Sequence, residues 1–208
     1  MCGIVGFLAT QRPAGQDLAE VVRCLADQLK HRGPDDEGVW VDHAVGIALA
    51  HRRLSILDLS SAGHQPMVST CGRYILIFNG EIYNHLEIRR ALGAGHAAGG
   101  GWRGHSDTET LLAAIAFWGL ERTLQKAVGM FAIALWDREE RSLYLARDRM
   151  GEKPLYYGLQ GGTFLFASEL KALRVYPGFS GEVDRQALTL LLRHSAIPAP
   201  YSIYRGMC

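Results

Sequence analysis

Several things are scarce in this sequence, and each scarcity closes off a class of function. No apolar run reaches the roughly 18–20 residues that a membrane-spanning helix needs, so a membrane is not expected as a partner. The opening Cys2-Gly3-Ile4-Val5 has neither the charged leader nor the cleavage motif of a secretory signal. A cytoplasmic protein is the expectation. No block of Lys or Arg stands out and the net charge is only +1, which argues against nucleic acid or an acidic lipid surface. The four cysteines, at 2, 24, 71 and 208, include no C-x-x-C pair and fit reduced thiols. The eight histidines show no H-x-H or H-x-x-x-H spacing, so no metal site is expected.

What is present suits one globular domain. The 208 residues are 48% hydrophobic and 21% charged, enough for a substantial core. No internal repeat or flexible linker interrupts them. Pro198-Ala199-Pro200-Tyr201 marks a boundary near which another domain could begin.

The patterning predicts a buried strand over residues 2–9. A helix follows from Asp17, with Glu20 placed as in a capping box and Leu18, Val22, Leu25 and Leu29 at helical spacing; it ends before Gly33-Pro34. Cys24 is expected to pack on or beside that helix. Strands are predicted at Val39–Val41, Val45–His51 and Tyr74–Phe78, the last stopping at Asn79-Gly80. Residues 93–104 read as an exposed glycine-rich connection, and Asp107–Leu120 as a helix. Strands follow at Met130–Trp136, Leu143–Arg147, Leu155–Tyr157 and Thr163–Ala167, then a helix over Asp184–His194. Strands and helices that come in runs, not in alternation, predict an α+β layered fold.

The candidate chemistry starts at Cys2. Methionine aminopeptidase tends to act when the second residue is small, and a chain beginning at Cys2 would carry a thiol and a free α-amine on one residue. Their ordinary pKa values, about 8.5 and 7.7–8.0, let the amine act as proton acceptor for the thiol. A thiol that attacks a carbonyl also needs donors for the oxyanion and groups that hold the substrate. The Asn79 amide and the Gly80 N–H are candidate donors, although Asn-Gly is equally a turn signal. Arg53 could pair with a carboxylate, and Glu81 or Asp107 could accept from an ammonium group. Asp107 reads equally well as a helix cap.

The order of motifs decides between these readings. Cys2-Gly3-Ile4-Val5-Gly6, His31-Arg32-Gly33-Pro34-Asp35, His51-Arg52-Arg53-Leu54-Ser55-Ile56, Asn79-Gly80-Glu81-Ile82-Tyr83-Asn84 and Ser106-Asp107-Thr108-Glu109 follow one another. Together they resemble the glutaminase domain of class II glutamine amidotransferases, the N-terminal-nucleophile group. Gly63-His64-Gln65-Pro66-Met67, Gly129-Met130-Phe131-Ala132, Arg147-Asp148-Arg149-Met150-Gly151, Lys153-Pro154-Leu155-Tyr156-Tyr157 and Ala167-Ser168-Glu169-Leu170-Lys171 resemble the asparagine synthetase branch.

The resemblance implies a four-layer α/β/β/α sandwich spanning residues 1–208 and an enzyme that hydrolyses L-glutamine to glutamate and ammonia. Cys2 would be the nucleophile and its own amine the base. Asn79 and Gly80 would form the oxyanion hole, Arg53 would bind the glutamine α-carboxylate, and Glu81 and Asp107 would hold its amino group. His31–Asp35 would support the site. No cofactor is implied here. The ATP and Mg of the family belong to a C-terminal synthetase domain, whose S-G-G-x-D-S loop does not occur in these residues. That domain, and a second copy of the full-length enzyme, are the implied protein partners. Aspartate is the implied acceptor of ammonia. Another carboxylate such as a sugar acid, or a non-catalytic regulatory module of the same fold, stays open.

Overall fold

The computed structural model describes residues 1–9, 17–56, 58–97 and 101–208. The run Gly3–Ala9 forms strand β1, almost wholly buried as its unbroken apolar pattern requires. It lies at the centre of a five-stranded antiparallel sheet. Its neighbours are β3 (Ile47–Arg53), followed outward by β2 (Asp36–Asp42), and on the other side β9 (Thr163–Ala167) and β8 (Tyr156–Gln160). A second antiparallel sheet has the order β4 (Met67–Val68), β5 (Tyr74–Ile82), β6 (Gly129–Asp137), β7 (Ser142–Arg147).

The period-2 alternation of side chains divides the interior into three apolar layers. Ile4, Ile47, Leu49, Ile75, Ile77, Ala132, Ala134 and Trp136 pack between the two sheets. Their sequence neighbours Val5, Phe7, Ala48 and Ala50 point the other way, onto helices α1 (Leu18–Asp27) and α5 (Leu170–Arg174). Leu76, Phe78, Ile133 and Leu135 point away from the sandwich on the opposite side. There they meet α2 (His85–Ala97, broken at Gly93), α3 (Asp107–Trp118) and α4 (Leu120–Lys126). The fold is the expected α/β/β/α sandwich, with α6 (Arg185–His194) following β9 and α5 in the chain. Asp184 caps α6, its carboxylate accepting from the Gln186 and Ala187 amides.

The structure departs from the sequence expectation at several points. β5 does not stop at Asn79-Gly80 but runs on to Ile82, because Asn79, Gly80 and Glu81 pair with Ala132, Phe131 and Met130 of β6. The Asn-Gly pair is therefore strand, not turn. The helix expected over Asp107–Leu120 is two helices, since Gly119 at φ 84° cannot continue α3. Cys24 does not pack; it is exposed on α1. Residues 98–100 of the expected connection lie outside the described residues. Its start belongs to α2 and its end is pinned, with Arg89 stacked 4.1 Å over the Trp102 ring and Gly104 buried.

Leu49 is fully buried between the sheets. Leu49→Ala should cost roughly 2–5 kcal/mol without changing the fold, read as a lower denaturant midpoint with the m-value kept.

Candidate active site

The site starts from an interrupted ladder. β4 pairs with β5 only at Leu76 and Ile75, so from Phe78 onward that edge of β5 has no neighbouring strand among the described residues. Backbone groups along it must find other partners. The Phe78 N–H donates to Gln65 Oε1 at 2.7 Å, and the Ile82 N–H donates to Asp107 Oδ2 at 2.9 Å. Gly80 lies midway between them and in the same phase of the strand. Its N–H is therefore directed to the same edge, between Gln65 and Asp107. These three residues line one cleft of about 150 Å³.

The same cleft collects every residue singled out in the sequence: Cys2, Arg53, Asn79, Gly80, Glu81 and Asp107. β1 brings Cys2 there because the strand begins one residue later, at the end of the inter-sheet layer. The Cys2 thiol donates to the Leu54 carbonyl at 3.6 Å and accepts from the Leu54 amide at 3.4 Å. Burial pushes the thiol pKa up, opposed by the Leu54 hydrogen bond and by the positive charges of the chain terminus and Arg53. At rest it is a thiol and needs a base. Asn79 sits opposite, 1% exposed, and its Nδ2 has no partner despite being buried. An unpaired buried donor is costly, on the order of 1–3 kcal/mol, and such a group in a cleft is suited to an incoming oxygen.

Gly80 is required by the packing of the sheet. A Cβ there would come within 2.3 Å of the Met130 carbonyl and 2.8 Å of Phe131 Cα on β6.

Arg53 is nearly buried at the end of β3, with Nη1 donating to the Ser60 carbonyl at 2.9 Å and Nη2 donating to the Asp58 carbonyl. Its fork is thus oriented by the loop that follows β3. Asp107 is the first residue of α3, and Ser106, not Asp107, is the cap, its hydroxyl accepting from Glu109 N. Both Asp107 oxygens are engaged, one by the Ile82 amide and one by its neighbour Thr108 N at 2.8 Å. Burial raises its pKa, against the pull of those two amides. Glu81 is half-buried at the rim. The arrangement offers a thiol, two candidate oxyanion donors, the cations Arg53 and Lys153, and the carboxylates of Asp58, Glu81 and Asp107 around a single cavity.

The whole chain, residues 1–208, matches the family described as the glutamine amidotransferase domain. The chain belongs to that family. Glutamine-hydrolyzing asparagine synthetase 3 of Bacillus subtilis strain 168 is 39% identical over 196 residues, covering 91% of this chain and 30% of that protein. A Mycobacterium bovis protein with the provisional name of glutamine-hydrolyzing asparagine synthetase is 39% identical over 223 residues, 100% of this chain and 33% of its own length. The chain thus spans about a third of these relatives. Among solved structures, glutamine phosphoribosylpyrophosphate amidotransferase from B. subtilis superposes with a TM-score of 0.69 at 20% identity. That match covers 84% of this chain and 43% of that one, and it bears on the fold alone.

Several residues that shape the cleft were not singled out individually. Arg32, within the His31–Asp35 segment expected to support the site, donates from Nε to the Cys2 carbonyl at 3.0 Å and from Nη1 to Glu169 at 2.9 Å. Ser168 fixes the strand just beyond, its hydroxyl accepting from Ile4 N at 3.0 Å. Gln65 holds the β5 edge, and Lys153 lines the cleft with Nζ 3.6 Å from Met1 Sδ. Each belonged to a quoted motif, but nothing in sequence spacing says which strand it will reach.

His51 couples the two sheets of the domain. It is on β3, 1% exposed, and its Nε2 donates to the Phe78 carbonyl of β5 at 3.1 Å, the carbonyl being unable to donate. Burial lowers its pKa to about 4. Because the unfolded chain binds this proton more readily, stability rises with pH between about 4 and 6.5 and is lost as pH falls through that window. The full effect is on the order of 3 kcal/mol. Urea unfolding of the wild type and His51→Gln at pH 7 and 4.5 should show a shallower pH dependence in the variant; equal slopes would remove His51 from this role.

Proposed function

We propose that this amidotransferase domain hydrolyses L-glutamine through a γ-glutamyl thioester on Cys2. The observation that carries the reading is the unpartnered, buried Asn79 Nδ2 on the same cleft as the Cys2 thiol. The direction of the Gly80 N–H on the adjoining strand edge supports it. Arg53, which lines the same cleft, would take the α-carboxylate. Glu81 and Asp107 would take the α-ammonium.

The steps follow from that placement. The Cys2 thiol loses its proton to the α-amine of the same residue, directly or through a water, and the sulfur attacks the side-chain amide carbon. The C=O electron pair moves onto oxygen, where Asn79 and Gly80 donate to it. The protonated amine passes its proton to the leaving nitrogen, the C–N bond breaks, and ammonia departs. Water then adds to the thioester and glutamate leaves with the sulfur restored. The raised thiol pKa makes a nearby base necessary. Met1 precedes Cys2, so the mechanism requires its removal; otherwise the nitrogen is a peptide and cannot accept a proton.

The length and names of the relatives support a wider reading for the parent enzyme. Ammonia made here would be consumed by a C-terminal synthetase domain that uses ATP and Mg to amidate aspartate, and the parent enzyme would be a homodimer in the cytoplasm. A sugar acid or other carboxylate is the alternative acceptor.

Asn79→Ala should lower kcat for glutamate release by about 10²–10³ with KM little changed, since the donor acts on charge that develops in the transition state. A large rise in KM at constant kcat would refute that role. Intact mass should show protein that begins at Cys2. Full glutaminase activity in protein retaining Met1 would exclude the amine as base.

A further inference from the structure

The proposed substrate clamp has two arms on separate segments. Arg53 is set by the loop after β3, and Asp107 by the segment that enters α3. Nothing in covalent connectivity holds these arms at the spacing of one α-amino acid. Asp58, which is 8% exposed, touches both. Its main-chain carbonyl accepts from Arg53 Nη2. Its carboxylate Oδ1 accepts from the Ser60 amide at 2.9 Å and the Ser60 hydroxyl at 2.5 Å, and the Ser60 carbonyl in turn accepts from Arg53 Nη1. Its other oxygen, Oδ2, accepts from the His105 amide at 2.9 Å, two residues before Asp107.

We infer that Asp58 is a positioning residue for glutamine recognition, fixing the distance between the Arg53 arm and the Asp107 arm of the clamp. The inference rests on the glutaminase reading of the site. The geometry around it is specific. Gly104, the residue before His105, is packed so closely that a Cβ would lie 2.5 Å from Asp58 Oδ2 and 2.7 Å from Ala62 Cβ. Hydrogen bonds from Ser60 and His105 pull the Asp58 pKa down to about 2, so the carboxylate accepts from both segments throughout the neutral range.

Other ties exist, and they define the rival outcome. Arg89 donates to the Gly104 and Ser106 carbonyls at 3.0 Å each, and Glu109 accepts from the Arg103 and Gly104 amides. Gln65 reaches Thr108 Oγ1 at 3.3 Å. Arg89 and Glu109 shape the entering segment from its own side. Gln65 joins α3 past Asp107. Among the described residues, Asp58 is the one whose hydrogen bonds link that segment to the backbone that grips Arg53.

The test uses Asp58→Asn, in which an amide N–H₂ replaces one accepting oxygen, and Gly104→Ala, which crowds the carboxylate while leaving its charge. Two reagents alkylate Cys2 in each protein. One is 6-diazo-5-oxo-L-norleucine, which carries the α-amino acid group. The other is iodoacetamide, which does not. Rates are read on the Cys2 peptide by mass spectrometry, because Cys24, Cys71 and Cys208 are exposed. Both variants should lose roughly 10- to 100-fold in rate with the amino acid reagent and keep the iodoacetamide rate within about two-fold. KM for glutamine should rise by a similar factor while kcat changes far less. Equal losses with both reagents, an unchanged glutamine KM in folded variants, or failure of both variants to fold would each overturn the inference and leave Asp58 a structural residue. Wild-type protein that starts at Cys2 yet releases no glutamate would instead sink the glutaminase reading, and this inference with it.

Discussion

The organisation of the site depends on the shortness of β4. Two residues pair with β5 and then the ladder ends, leaving one edge of the backbone from Phe78 to Ile82 without a strand beside it among the described residues. Unpaired N–H groups in the interior are costly, so side chains are recruited to meet them. Gln65 takes one and Asp107 another. The amide between those two, that of Gly80, faces the cleft they enclose. A longer β4 would have satisfied the same edge with another strand and left no cavity.

The five-stranded sheet organises the opposite wall. β1 is held on both sides, by β3 and β9, so its first residues cannot shift along the sandwich without breaking two ladders. Arg32 and Ser168 extend that grip to the Cys2 carbonyl and the Ile4 amide. His51 then spans the gap from β3 to the Phe78 carbonyl, joining the sheet that carries Cys2 to the strand that carries Asn79. The thiol and the unpartnered amide are therefore tied together through the strands and through the residues Arg32, Leu54 and Ser168 that flank them.

Sequence patterning found the elements whose period is unambiguous. β1, β6, β9 and α6 emerged close to their observed bounds, and Asp184 stands at the start of α6, where the helix was expected to begin. Patterning missed α2, because Gly93 and Gly95 drew its second half into a glycine-rich connection while the helix itself starts at His85. It also missed the two-residue β4, which carries too little signal to register. It misread Asn79-Gly80 as a strand end, because the dipeptide has local turn preference while its pairing with β6 is set by residues far along the chain. The six candidate residues did converge on one cleft, since each stood near the end of a strand or the start of a helix.

The sequence by itself determined the layered architecture and the family, because apolar alternation and ordered motifs are properties of the linear chain. Tertiary structure alone decided which hydrogen-bonding groups were left over. Asn79 Nδ2 has no partner, Gly80 is glycine because of the Met130 carbonyl, and Asp58 reaches a segment 47 residues along the chain. These are facts about surplus and contact. They exist only once every other donor and acceptor has been matched in three dimensions.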